Sequence, residues 1–314
     1  MKKKIIIDTD PGIDDAMAIL FAHFAADIEL VGLTTVFGNV SVEQATINAC
    51  YLSDLMGGNI PVAAGSDHPL NRKNDRYPDW VHGKNGLGDI TLNTPQTKAL
   101  ETDAVDFIIE QVLQNPGEIT LVPIGPLTNI ARALEKAPEI ASKVKGVVLM
   151  GGAATVNGNV NPAAEANMLS DPLAADRIFT ADWPVTMVGL DVTHQIIMDE
   201  MYLKRVHQSG TNIGNFITKI SQFYLEFHRS TGTDGLYTHD PSTIAYLIKP
   251  DIFTIESGTI RVCTEGITAG LTIMNRSRKP YQQTAWDGIP KSDVCIDVDV
   301  DAFLDLYASI MTGH

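Results

Sequence analysis

Short apolar runs alternate with stretches of helical period along most of the chain, the pattern of βα units wound into a largely parallel sheet. The apolar runs predict strands at residues 4–8, 29–36, 60–63, 119–123, 146–150 and 185–190. Most of them are continuously apolar or β-branched rather than alternating, as expected for strands covered on both faces. Between them, the spacing predicts helices over 14–25, 42–56, 102–114, 128–135 and 172–180. From about 198 to 249 the pattern turns mainly helical. Met201, Leu203 and Val206, then Ile213, Phe216, Ile217, Ile220, Phe223, Tyr224 and Phe227, recur at near-helical spacing and read as core. Strands return at 253–262, 266–273 and 294–298, and a helix closes the chain after Asp299.

The expectation is an α/β fold: a single domain over 1–314 with a mostly parallel open sheet flanked by helices and an additional helical lobe at about 198–249. One segment departs from the pattern. Residues 67–89 are polar, rich in Asn, Asp and Gly, and without a clear period, so they read as a long structureless loop. Such loops in compact domains tend to be functional, and His82-Gly83-Lys84-Asn85-Gly86 is placed to fold over a site.

Composition narrows the partners. A net charge of −15 argues against a chain that holds nucleic acid or anionic lipid by bulk charge, and leaves a small molecule or a cation. The three cysteines, Cys50, Cys263 and Cys295, are far apart and form no CxxC pair, which suggests neither a disulfide framework nor a zinc cluster and fits a reducing cytoplasm. The three isoleucines after the initial lysines are too short for a signal-peptide core, and no apolar run approaches the ~18 residues of a membrane span.

The strongest chemical signal is the apolar strand that runs into Asp8-Thr9-Asp10-Pro11-Gly12-Ile13-Asp14-Asp15, four aspartates within eight positions. In open α/β sheets ligands sit beyond the carboxyl ends of strands, and carboxylates packed this closely repel one another unless a cation compensates. Turn chemistry, with Pro11-Gly12 as the turn and Asp14 as the helix cap, accounts for one or two of them only. Ligation by oxygen suits Ca²⁺ or Mg²⁺ rather than zinc. A metal here lowers the pKa of a bound water while a carboxylate takes its proton, which points to hydrolysis. Further strand ends carry Asn39, and Asn159, Glu165 and Asn167, an amide and carboxylate set able to bind sugar hydroxyls. His239-Asp240-Pro241 opens a later helix, with Asp240 either its cap or a distant metal ligand.

The opening motif resembles the N-terminal signature of the inosine-uridine nucleoside hydrolases, and four more blocks match in order: Thr34 to Asn39, Leu121 to Asn129 (LVPIGPLTN), Val148 to Gly152 (VLMGG) and His239-Asp240-Pro241. The resemblance spans nearly the whole chain. It implies a nucleoside hydrolase fold with a Rossmann-like core, cleavage of the N-glycosidic bond of ribonucleosides to free base and ribose, a tightly bound Ca²⁺ that holds the ribose hydroxyls and the attacking water, and a homodimer or homotetramer. By the same resemblance Asp10 is general base and metal ligand, Asp15 a bidentate ligand, Asp240 the ligand from the far helix, and Ile124 a ligand through its backbone carbonyl. Asp14 and Asn167 correspond to ribose-hydroxyl contacts, Asn159 and Glu165 to 5′-hydroxyl contacts, Asn39 to the ribose-site asparagine and Met150 to the apolar floor under the sugar. His239 matches the leaving-group acid of non-specific members, with His82 and His228 as further base-pocket candidates. Where many relatives read Ala-Glu-Phe-Asn, this chain has Ala164-Glu165-Ala166-Asn167, which opens space near C5′. Arg229 to Gly232 with Gly235-Leu236 is similar to members that accept purines and pyrimidines alike.

Two other readings compete. A strand followed by Asp-x-Asp is also similar to haloacid-dehalogenase-like phosphatases, but those carry Thr or Val where this chain has Gly12 and give Asp14-Asp15 no role. A non-catalytic nucleoside binder on the same fold is the other, and the presence of Asp10, Asp15 and Asp240 together favours an enzyme.

Overall fold

The apolar run at positions 5–7 becomes an interior strand of the sheet. In a computed structural model that describes residues 2–73, 77–207, 211–277, 281–282 and 284–313, strand β1 (Lys3–Thr9) pairs in parallel with β2 (Ile28–Thr35) on one side and with β4 (Ile119–Pro123) on the other. β3 (Val62–Ala64) continues beyond β2, and β5 (Gly146–Met150) and β6 (Val185–Val188) continue beyond β4. Two very short strands, β7 (Ile197–Met198) and β8 (Leu236–Tyr237), form a separate antiparallel pair. β9 (Phe253–Val262), β10 (Thr272–Asn275) and β11 (Lys291–Val298) complete a nine-stranded sheet of order β10-β9-β11-β6-β5-β4-β1-β2-β3. Only the two pairings made by β9 within it are antiparallel.

Alternation along β1 divides the interior. Ile5 and Ile7 join one apolar cluster and Ile6 the other, each with no exposure. The first cluster is built by α1 (Ile13–Phe24) and α2 (Val42–Leu55), and further along the chain by the helices of the lobe. Between these lie α3 (Asp79–His82) and α4 (Ala104–Gln114), then α5 (Thr128–Lys136), α6 (Ala166–Ser170) and α7 (Pro172–Thr180); α4, α5 and α7 cover the opposite face. After α8 (Leu190–Thr193), the lobe consists of α9 (Glu200–His207), α10 (Asn212–Ser230) and α11 (Pro241–Ile248), and α12 (Val300–Thr312) closes the chain.

Several expectations need correction. The run at 266–273 is not one strand: Gly266 and Gly270 both take positive φ, residues 266–268 form a 3₁₀ turn, and pairing begins only at Thr272. The strand expected over 185–190 stops at Val188, because Gly189 caps α8 and Leu190 already belongs to it. Residues 67–89 are not structureless, since they contain α3 and bury His82. The helical stripe in the lobe is confirmed in α10, whereas Met201, read as core, is 78% exposed; β7 at the start of the lobe pairs with β8 between α10 and α11. Cys50, Cys263 and Cys295 are free thiols, and no helix among the described residues is long and apolar enough to cross a membrane.

The active-site helix α1 is anchored from behind by α12, with the Phe21 and Tyr307 rings 4.9 Å apart and neither ring exposed. Phe21→Ala is expected to lower stability by ~3–5 kcal/mol, the range for deleting a buried aromatic, as measured by urea denaturation.

Candidate active site

The turn between β1 and α1 decides which aspartate does what. Gly12 occupies the N-cap with extended backbone, and Asp15, three residues on, accepts its N–H at 3.0 Å. Asp15 is therefore the capping carboxylate and Asp14 is not, the reverse of the sequence reading, because the position of Gly12 sets the phase of the first turn. Thr9 Oγ1 donates to the other Asp15 oxygen at 2.5 Å, and the Asn39 side-chain amide donates to Asp15 Oδ2 at 3.1 Å.

Asp10 lies between two glycines. A Cβ at Gly38 would stand 1.9 Å from Asp10 Oδ2, and one at Gly125 would stand 2.4 Å from Oδ1, so only bare backbone lets this carboxylate seat. The Asn39 backbone N–H donates to Oδ2 at 2.6 Å, while Oδ1 is buried with no hydrogen-bond partner. Asp240 reaches the same place from the start of α11. It sits at the N-cap position, but its backbone is helical (φ −68°) and its side chain makes no capping bond, so the carboxyl turns to Asp15 instead. Asp14, Asp15 and Asp240 each bring an oxygen within 4.8 Å of the other two.

All four carboxyls are almost fully buried, and each is pushed above the usual carboxylate range, first by burial and then, for Asp10, Asp14 and Asp240, by the neighbouring acids; Asp14 rises to about 8. Among the described residues no lysine or arginine compensates them. Such a set is stable when its charge is shared with protons or with a cation. Only oxygen ligands converge here, one of them without any partner, and that donor set fits a hard divalent ion. The Ile124 carbonyl accepts from Asn167 Nδ2 at 2.8 Å and keeps a second lone pair for such an ion.

The remaining candidates line two sides of the acids. Asn167 donates also to the Met150 carbonyl at 3.2 Å, which places it and Met150 beside Ile124. Glu165 caps α6 and accepts from the backbone N–H groups of Gly152, Asn167 and Met168. Asn159 is exposed, with its Oδ1 on the Ala166 N–H. On the other side stand the imidazoles. His82 Nδ1 accepts the Ile13 N–H at 3.2 Å, which leaves the ring proton on Nε2. Its 3.9 Å approach to Asp14 is not an ion pair, because burial lowers the imidazole to about 3 and keeps it neutral. His228, lowered to about 4 by burial, has its Nε2 buried and unpartnered. His239 is held well below its ordinary value by burial and by three neighbouring imidazoles, and its Nδ1 lies 2.8 Å from Thr193 Oγ1.

One participant escaped the sequence reading. Tyr224, taken for core, hydrogen-bonds the Asp14 carboxyl and packs its ring 4.4 Å from His228 and 5.1 Å from His82. The only signal was a hydroxyl-bearing residue in an otherwise apolar stripe. Asp8, pushed up to about 7 by burial, sits behind the site, where Thr34 and Asn129 both donate to its Oδ1.

A sheet-end cluster of acids facing imidazoles marks the class, a metal-dependent hydrolase. A family model described as inosine-uridine preferring nucleoside hydrolase matches residues 5–305, and the chain belongs to that family. It is 44% identical to uridine nucleosidase 1 of Arabidopsis thaliana over 96% of this chain and 91% of that one. It is 40% identical to the inosine-uridine preferring nucleoside hydrolase of Leishmania major, over 96% and 95%. A solved plant nucleoside hydrolase superposes with a TM-score of 0.97 at 42% identity over the whole of both chains. The protein is thus a ribonucleoside hydrolase, and the phosphatase and non-catalytic readings fall away.

Because Asp10 needs bare backbone on both sides, Gly38→Ala is expected to lower kcat/KM at least about a hundredfold, the penalty for displacing a reacting group by roughly 1 Å. The far-ultraviolet circular dichroism spectrum should stay that of the parent, and a variant with parental activity would show that Asp10 has freedom to move.

Proposed function

We propose that the protein hydrolyses purine and pyrimidine ribonucleosides alike, with Ca²⁺ as its metal and Asp10 as general base. The observation that carries this reading is the buried group of Asp10, Asp14, Asp15 and Asp240, uncompensated by any basic residue among the described residues and with Asp10 Oδ1 left unpartnered. The Asp10, Asp15 and Asp240 carboxylates and the Ile124 carbonyl would hold the ion. Bound there, it would supply Lewis acidity that lowers the pKa of a nearby water.

Asp10 takes the proton of the attacking water through its free oxygen as the new bond forms at C1′. The C1′–N bond breaks with its electron pair going to the base, and the ribose gains oxocarbenium character that the surrounding carboxylates stabilise. Asp14, Asn39 and Asn167 bind the ribose hydroxyls, Glu165 and Asn159 the 5′-hydroxyl, and Met150 supports the ring. The base departs toward His82, His228 and His239. His239 is the leaving-group acid: its imidazolium form, made more acidic by burial and the neighbouring imidazoles, gives a proton to the base nitrogen as negative charge builds there and is left as neutral imidazole. Broad base specificity is supported by aromatic and imidazole walls that offer stacking rather than a fixed donor set, and by relatives whose names span uridine and inosine. The working unit is the whole chain as one domain, in a homodimer or homotetramer by resemblance to the family, and its acid excess and free thiols suit the cytoplasm.

Protein incubated with inosine or uridine in phosphate-free buffer is expected to release ribose from both, and a phosphate requirement would overturn hydrolysis. Metal analysis should find about one Ca²⁺ per chain. Asp10→Ala should abolish turnover. His239→Ala should slow inosine far more than a riboside with an activated leaving group, and equal losses on the two substrates would remove His239 from its role.

A further inference from the structure

Behind the acids, helix α2 carries a fully buried amide that no part of the chemistry uses. Asn48 Nδ2 donates to the Pro11 carbonyl at 2.9 Å and to the Asn85 carbonyl at 2.8 Å, and its Oδ1 accepts from Gln44 Nε2 at 2.9 Å. Each hydrogen-bonding group of the amide is thus engaged. The two carbonyls belong to different parts of the site. Pro11 lies between Asp10 and the Gly12 cap, and Asn85 lies in the segment that begins at His82.

That segment is a preformed unit. Asn85 Oδ1 accepts from the backbone N–H groups of Leu87 and Asp89, Asn85 Nδ2 donates to the Ile90 carbonyl, and the Gly88 N–H returns to the His82 carbonyl. It meets the catalytic turn at Gly86, whose φ is +78° and where a Cβ would stand 2.8 Å from the Pro11 oxygen and 3.0 Å from Asn48 Nδ2. A loop with its own internal bonds and a turn with its own cap can each keep their shape. The Ile13 N–H to His82 bond joins them at one point; a third body bonded to both fixes their separation at a second point, further along the loop.

We infer that Asn48 is a positioning residue that locks the 83–89 loop onto the Asp10-Pro11-Gly12 turn and thereby sets the base-side imidazole against the sugar-side carboxylates. The consequence for turnover rests on the roles proposed above for Asp10 and His82, whereas the lock itself does not.

Two readouts separate these layers. In the protein without substrate, Asn48→Leu, which keeps the branched shape of the side chain and removes both N–H donors, should speed amide hydrogen exchange at Leu87, Gly88 and Asp89 while the amides of β4 and β5 keep the parental rate. Unchanged exchange at 87–89, or an increase spread evenly over the chain, overturns the lock. In turnover, Asn48→Leu should lower kcat/KM by roughly tenfold to a hundredfold, the range lost with hydrogen bonds that orient reacting groups. Ser53→Ala on the same helix removes a buried bond to the Ile60 carbonyl that does not reach the turn, and its kcat/KM should stay within about twofold of the parent, since sites without shared partners act independently. Equal losses in the two variants would reduce Asn48 to a helix-packing role. Should Asn48→Leu fail to fold, Gly86→Ala attacks the same seat from the loop side and should give the same local exchange pattern. Fast exchange at 87–89 with parental kcat/KM would leave the lock standing and overturn its service to catalysis.

Discussion

Mutual repulsion among buried carboxylates is the constraint around which this molecule is arranged. Taking even one carboxylate out of water costs several kcal/mol, and here Asp10, Asp14, Asp15 and Asp240 share one buried place with no basic partner among the described residues. The rest of the fold supplies what makes that tolerable. Gly38 and Gly125 leave room for Asp10, the Gly12 and Asn39 N–H groups and the Thr9 hydroxyl donate into the cluster, and Tyr224 answers Asp14. None of these donors is a full positive charge. The neutralising charge is left to a cation and, during the reaction, to the sugar itself, so the arrangement gains most when positive charge develops.

That constraint also explains which parts of the structure could be read from the sequence. β1 and its aspartates were legible because the apolar run, the turn and the acids are neighbours in the chain, although the contacts that seat Asp10 come from Gly38, Asn39 and Gly125. Legibility already fails one residue away: Asp14 and Asp15 are equally good caps on composition, and only the extended backbone at Gly12 selects Asp15. Strand 266–273 failed for a related reason, since an apolar run does not reveal that Gly266 and Gly270 turn left-handed within it.

The base side was harder to read, because its members are brought together from distant segments. His82 arrives at the end of the short helix α3, His228 and Tyr224 on α10, and His239 between β8 and α11. Resemblance to a family pointed to the histidines, but periodicity hid Tyr224, since an aromatic residue at helical spacing satisfies the core pattern whether or not its hydroxyl has work to do. Asn48 was hidden in the same way, as one polar position inside a helix. Its meaning depends on two carbonyls, at positions 11 and 85, that no local pattern connects.

The division of the site into two chemically opposite halves follows from where each half is mounted. The acids stand at the end of β1 and the starts of α1 and α11, and on the proposed reading they surround the ring that becomes cationic. The imidazoles stand on the end of α3 and on the lobe, and on the proposed reading they face the base that becomes anionic. Burial drives the two sets in opposite directions, holding carboxyls protonated and imidazoles neutral in the absence of a cation. A cation reverses only the first shift, because it lies among the acids. Charge separation along one glycosidic bond therefore needs no rearrangement of the protein, provided the two mountings keep their distance from each other, and that distance is held by the few hydrogen bonds that join the 82–90 segment to the turn after β1.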